Sequence, residues 1–141
     1  MIYALDANTI SFVLRPNRNP EVAREFDEII KQGHNYIIPA ISYFEVYWHL
    51  LRKKAASQLV IFQKMYNKSM KELSISENDI FVAAKIKVDL LEKNITLGKN
   101  DADVLIAAEC VANDYILVTD NVSDFQRIDG LKFVNWKSRE Q

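Results

Sequence analysis

Apolar residues run unbroken from Ile2 to Leu5 and stop at Asp6, after which apolar positions recur at helical spacing as far as Leu14. This predicts a strand followed by a helix. Residues 15–20 read as a loop, with Pro20 suited to the first turn of a helix through Val22, Phe26, Ile29 and Ile30 that Gly33 ends. Tyr36–Ile38 predicts a second strand, closed by Pro39. Ser42 and Glu45 have the spacing of a capping box, which places Glu45 in the first turn of a helix whose stripe of Phe44, Trp48 and Leu51 continues to Lys54. Leu59, Phe62, Met65, Tyr66 and Met70 predict a helix over 57–73, and Ser76 with Asp79 opens another through Val82, Ile86 and Leu90. Asn94 and Gly98 mark the loop after it. Asn100 or Asp101 can cap a further helix to about Asn113; Tyr115–Val118 is strongly β-prone and ends at Thr119 and Asp120; Lys132–Val134 forms a last short strand.

Strands alternating with helices predict an α/β fold with a mostly parallel sheet covered on both faces. At 141 residues, 49% hydrophobic and 26% charged, with Gly and Pro at three each, the chain reads as one globular unit over 1–141 without a linker. Its lone cysteine, Cys110, lies in an apolar run and reads as a small buried hydrophobe, which points to a reducing, cytoplasmic setting. The start carries a carboxylate at Asp6 and no basic segment, so no signal peptide is expected, and no apolar stretch is long enough to span a bilayer. A net charge of −1 argues mildly against a nucleic-acid partner, but Arg52, Lys53 and Lys54, then Lys64, Lys68 and Lys71, form basic groups on two helices.

In a parallel sheet, chemistry belongs beyond the carboxyl ends of the strands. Asp6 and Asp120 each follow a strand directly, while Glu45 and Asp103 fall in the first turns of helices that can begin at the same edge. Each acid alone has an ordinary explanation in helix capping and the helix dipole. Together they would repel one another in a partly desolvated site and need a counter-charge. No lysine or arginine neighbours Asp6, Glu45 or Asp120 in sequence, and Lys99 stands a few residues from Asp103 as a partial candidate. A hard cation, Mg²⁺ or Mn²⁺, is the simpler partner, and such an ion suits phosphodiester hydrolysis without a side-chain nucleophile. His34 and His49 are far apart and read as structural or surface residues.

The segments LDANT, ISYFEV, DVLIAAECVANDYILVTDN and SDF resemble the successive motifs of PIN-domain ribonucleases over nearly the whole chain, and in length and spacing most resemble the VapC toxins of bacterial toxin–antitoxin pairs. The ending GLKFVNW is similar to the close of one VapC subgroup that cleaves initiator tRNA. This resemblance implies a three-layer α/β/α endoribonuclease with Mg²⁺ or Mn²⁺ held by Asp6, Glu45 and Asp103. Asn8 and Thr9 match the polar pair after the first acid, with Thr119 beside the site. The fourth acidic position falls on Asp120 or Asp124, with Asn121 as a hydrogen-bonding neighbour. Asp101 is excluded, because two residues on a helix subtend about 200° and turn it from the face of Asp103; an N-cap role suits it.

The resemblance also implies RNA as substrate, a small antitoxin as partner and a homodimer, the last in keeping with Tyr43, Tyr47 and Trp48 on one helix and apolar residues near 27–31. Two rivals compete with it. A haloacid-dehalogenase-like phosphotransferase needs a second Asp where this chain has Asn8, and a PIN fold reduced to a binding module would not need all three principal acids.

Overall fold

The computed structural model describes residues 1–137 except Glu72 and Lys99. Four parallel strands, β1 (Ile2–Leu5), β2 (Asn35–Ile37), β3 (Ile116–Val118) and β4 (Lys132–Val134), stand in the order β2-β1-β3-β4. Helices α1 (Ala7–Leu14), α2 (Pro20–Lys31), α3 (Ala40–Arg52) and α4 (Ala56–Lys68) precede α5 (Glu77–Glu92), α6 (Ala102–Asn113) and the short α7 (Val122–Phe125). The α/β class and the parallel sheet are as the sequence pattern predicts.

The strands' period of two divides the interior. Paired Ala4, Ile37 and Leu117 face α5 and α6, where they join Ala83, Leu90, Ala107 and Cys110. Leu5, Tyr36 and Val118 face the other way and pack with Ile10 of α1, Phe26 of α2, Val46 of α3 and Phe62 of α4. Each fully buried side chain of this kind contributes about 1.5–3 kcal/mol. The two half-cores clamp the sheet, and the order of its strands reverses at β1, leaving a crevice between the ends of β1 and β3.

Several local expectations change. Helix α3 begins at Ala40, with Pro39 at its N-cap position, so Ser42 and Glu45 form no capping box and Glu45 stands in the second turn rather than the first. Pro39 fixes its own φ in an extended cap, and the chain turns helical as soon as it has passed. Ser42 is fully buried, its hydroxyl unpartnered among the described residues. Helix α4 stops at Lys68 rather than near Leu73, because the Ser69 hydroxyl donates back to the Tyr66 carbonyl at 2.6 Å and Met70 then bridges to Ile37 beside the sheet edge. The box of Ser76 and Asp79 forms as expected.

Candidate active site

Asp6 prolongs β1: its N–H donates to the Val118 carbonyl at 3.2 Å, in the direction of the ladder, and its carboxylate then turns back to cap α1 by accepting the Thr9 N–H at 2.8 Å. Thr9 in turn donates its hydroxyl to the Val118 carbonyl at 3.1 Å, tying the first turn of α1 to the end of β3. Thr119, also buried, hydrogen-bonds with Asp6 and accepts the Asn121 N–H at 3.1 Å. Asn121 opens α7, the short helix that the sequence pattern did not reveal, and its amide donates to the Asp124 carboxylate at 3.0 Å. These bonds fix the crevice wall with neutral donors.

The charges are not balanced in the same way. Burial pushes the Asp6 carboxyl above its ordinary range; hydrogen bonds from Thr119 and Thr9 oppose the rise, and Asp120 adds to it. Burial also raises Glu45, helped by the charges of Asp103 and Asp6, and raises Asp103, helped by Asp124. Those couplings link all five predicted acids around one end of the crevice. Among the described residues, Asp6, Glu45 and Asp103 form no ion pair. Lys99 lies outside the described residues.

Asp120 differs, and here the sequence expectation is corrected. Lys137 places its ammonium 3.9 Å from Asp120 and 5.1 Å from the centre of the Phe12 ring, because buried Trp136 anchors the chain after β4 beside the crevice. Sixteen residues of intervening chain hide that neighbour from a local reading. Asp101 is corrected in part: it holds the N-cap position of α6, but its carboxylate pairs with Lys87 at 2.9 Å, while Asn100 caps Ala102. It takes no part in the crevice.

Two features of the site went unread in the sequence. Gly98, with φ +60°, lies so close to Asp103 that a Cβ there would stand 3.2 Å from its Oδ2, so the loop presses bare backbone against the acid. Asn8 and Glu45 open onto a cleft of about 340 Å³ between α1 and α3, which His49 also lines. His49, read from the sequence as a structural or surface residue, thus shares a cleft with Glu45. Cys110 is buried, and burial holds its thiol well above the ordinary range, which fits an inert core residue.

The family model of the PIN domain matches residues 3–131, most of the chain. The chain belongs to the PIN domain family. Among proteins similar to this PIN domain, ribonuclease VapC2 of Rickettsia felis is 26% identical over 136 residues, covering 96% of this chain and 98% of that protein. Among solved structures, VapBC2 of R. felis bound to a promoter DNA fragment superposes with a TM-score of 0.81 at 24% identity, over 96% of this chain and 99% of that one. DNA-bound VapBC of Salmonella typhimurium gives 0.82 at 20% identity, over 96% and 98%. The two structures establish the α/β/α fold.

The donors in the crevice are all oxygens, which fits a hard divalent ion rather than zinc or a redox metal. As they stand they are not a closed ligand set: among the described residues no group of three His, Cys, Asp or Glu side chains is gathered tightly enough to hold a metal. Among the described residues, no helix is long and apolar enough to cross a membrane.

Proposed function

We propose that this PIN domain is a Mg²⁺- or Mn²⁺-dependent endoribonuclease that hydrolyses RNA at the crevice beyond β1 and β3, and that it is the toxin of a toxin–antitoxin pair. One observation carries the reading: burial raises the proton affinity of Asp6, Glu45 and Asp103, a neighbouring carboxylate adds to each rise (Asp120 at Asp6, Asp103 and Asp6 at Glu45, Asp124 at Asp103), and the three have no cationic partner among the described residues. Acids so placed either keep protons or hold a cation. The relatives named ribonucleases supply the substrate class, and those solved as VapBC complexes supply the antitoxin partner.

Asp6, Glu45 and Asp103 would hold the ion. When bound, Mg²⁺ supplies a Lewis acid for the phosphate and an acidified water for the attack. Thr9 and Thr119 orient Asp6, and Asn121 holds Asp124 by its Oδ2, leaving Oδ1 to accept a proton from water. Asp120, engaged with Lys137, stands as the outer alternative for that task. A transfer-RNA substrate and a homodimer belong to the same proposal. For the dimer, Phe44, Trp48 and Leu51 expose one apolar stripe on α3, although Tyr43 and Tyr47 are half-buried and packed on each other.

The decisive experiment incubates purified protein with RNA in Mg²⁺ and in chelator, beside Asp6→Asn and Asp103→Asn. Cleavage by the parent in Mg²⁺ alone, lost by at least about a hundredfold in both variants while their circular dichroism is unchanged, is the expected result. Undiminished cleavage in chelator, or by both variants, would overturn the metal site.

A further inference from the structure

The cleft between α1 and α3 carries opposite charges at its two ends. Asn8 and Glu45 line the end that meets the acids, whereas Arg15 and Lys53 line the other. Both helices begin just past adjacent strands, β1 and β2, at the acidic edge of the sheet. Arg15 follows Asn8 by seven residues and Lys53 follows Glu45 by eight, which sets the two cations about 10–12 Å along their helices from the acids. Among the described residues lining the cleft, Glu45 is the only carboxylate. Neither Arg15 nor Lys53 forms an ion pair among the described residues. Ser11 and Gln58 supply neutral hydrogen-bonding groups to the walls.

Both cations sit at the C-caps of their helices, where the helix dipole favours positive charge. That accounts for each one singly. It does not account for both lining one cleft whose other end is the acidic site. A chain with a negative charge at every repeat matches that layout: one phosphate among the acids and their metal, a neighbouring phosphate at the two cations, and sugar hydroxyls against the polar walls.

We propose that this cleft seats the RNA strand next to the bond being cut, with Arg15 and Lys53 together gripping the phosphate of a nearby nucleotide. They are positioning residues that act through the backbone without reading sequence. The proposal rests on the ribonuclease reading for the identity of its ligand, and binding can test it apart from cleavage.

The test titrates a labelled, mixed-sequence single-stranded RNA of about ten nucleotides by fluorescence anisotropy over a range of salt, for the parent, R15Q/K53Q and R15K/K53R. The log–log salt slope of affinity should be shallower by about 0.7, one single-strand phosphate contact, in R15Q/K53Q and unchanged in R15K/K53R. In cleavage assays R15Q/K53Q should raise KM with kcat preserved. On a dinucleotide, which carries only the scissile phosphate, parent and variant should turn over equally. A capping role alone would lower Tm without moving the salt slope, and that result would overturn the proposal. RNA bound and cut as by the parent, with loss of copurification of the protein encoded beside this one, would also overturn it in favour of a polypeptide occupant. RNA bound with the expected change of slope but never cut would uphold the cleft and sink the ribonuclease reading. If R15Q/K53Q fails to fold, the single variants R15Q and K53Q carry the same slope test.

Discussion

Asp79 and Asp6 are both buried carboxylates at the start of a helix, exposed to 4% and 9%, yet their surroundings differ in kind. Asp79 accepts the Ser76 N–H at 3.1 Å on one oxygen and the Asn113 amide at 3.0 Å on the other, so neutral donors satisfy both. Asp6 accepts the Thr9 N–H and hydrogen-bonds with Thr119, but it also faces the charge of Asp120 and adds its own to Glu45. Asp79 closes the joint between α5 and α6. At the crevice, the hydrogen bonds orient the acids without neutralising the charge they share. The contrast separates a buried acid whose oxygens neutral donors satisfy from acids that share like charge beside the sheet's crevice, where the proposed site lies.

The largest expected effect separates the two regions by activity. Asp6→Asn and Asp103→Asn should each reduce metal-dependent RNA cleavage to background, since the amide keeps the shape but not the charge that binds a hard ion. Asp79→Ala should leave kcat unchanged, measured below the variant's own melting range. If Asp79→Ala abolishes cleavage in a folded protein, the division between the regions fails.

Stability should show the converse. Asp79→Ala removes half of a capping box and one of the two bonds of the Asn113 amide, which keeps only the Glu109 carbonyl; the loss costs about 1–3 kcal/mol and lowers Tm by several degrees in a thermal melt. Asp103→Asn should instead raise the Tm of the metal-free protein at neutral pH by on the order of a few degrees. The gain has a predictable pH profile. Asp103 keeps its proton to higher pH when folded than when unfolded, so the folded state binds more protons as pH rises from the ordinary value of 3.8 to the raised one. Stability from this group is therefore full below 3.8 and lost across that window. Melts of parent and Asp103→Asn at successive pH values should coincide in acid and diverge as pH rises, and a difference that shrinks toward neutral pH would contradict the repulsion.

The smallest effect is expected at Asp101. Its pairing with Lys87 is solvent-exposed and worth no more than about 1 kcal/mol, so Asp101→Asn should retain most cleavage and nearly the parental Tm. Loss of activity here with activity kept in Asp103→Asn would move the third acid to the wrong turn of α6.

The sequence by itself determined the elements whose signals are local. The run from Ile2 to Leu5, the box of Ser76 and Asp79, the Pro20 start of α2 and the alternation of strands with helices were legible because hydrophobic period, capping and proline geometry act within a few residues. With the sheet parallel, the placement of Asp6 and Asp120 at strand ends already put them on one edge. Tertiary structure decided what depends on neighbours distant in the chain. Only folding brings Lys137 to Asp120, presses Gly98 on Asp103, ends α4 against the edge of β2 and opens one cleft from Glu45 to Arg15 and Lys53. Ser42 and Glu45 show the limit most directly: their spacing fits a cap, but Pro39 starts the helix earlier, so Ser42 goes to the core and Glu45 to the acids. Backbone geometry and packing overrule a local motif whenever the net gain from a single hydrogen bond, about 1 kcal/mol, is smaller than what burial of a helix face contributes.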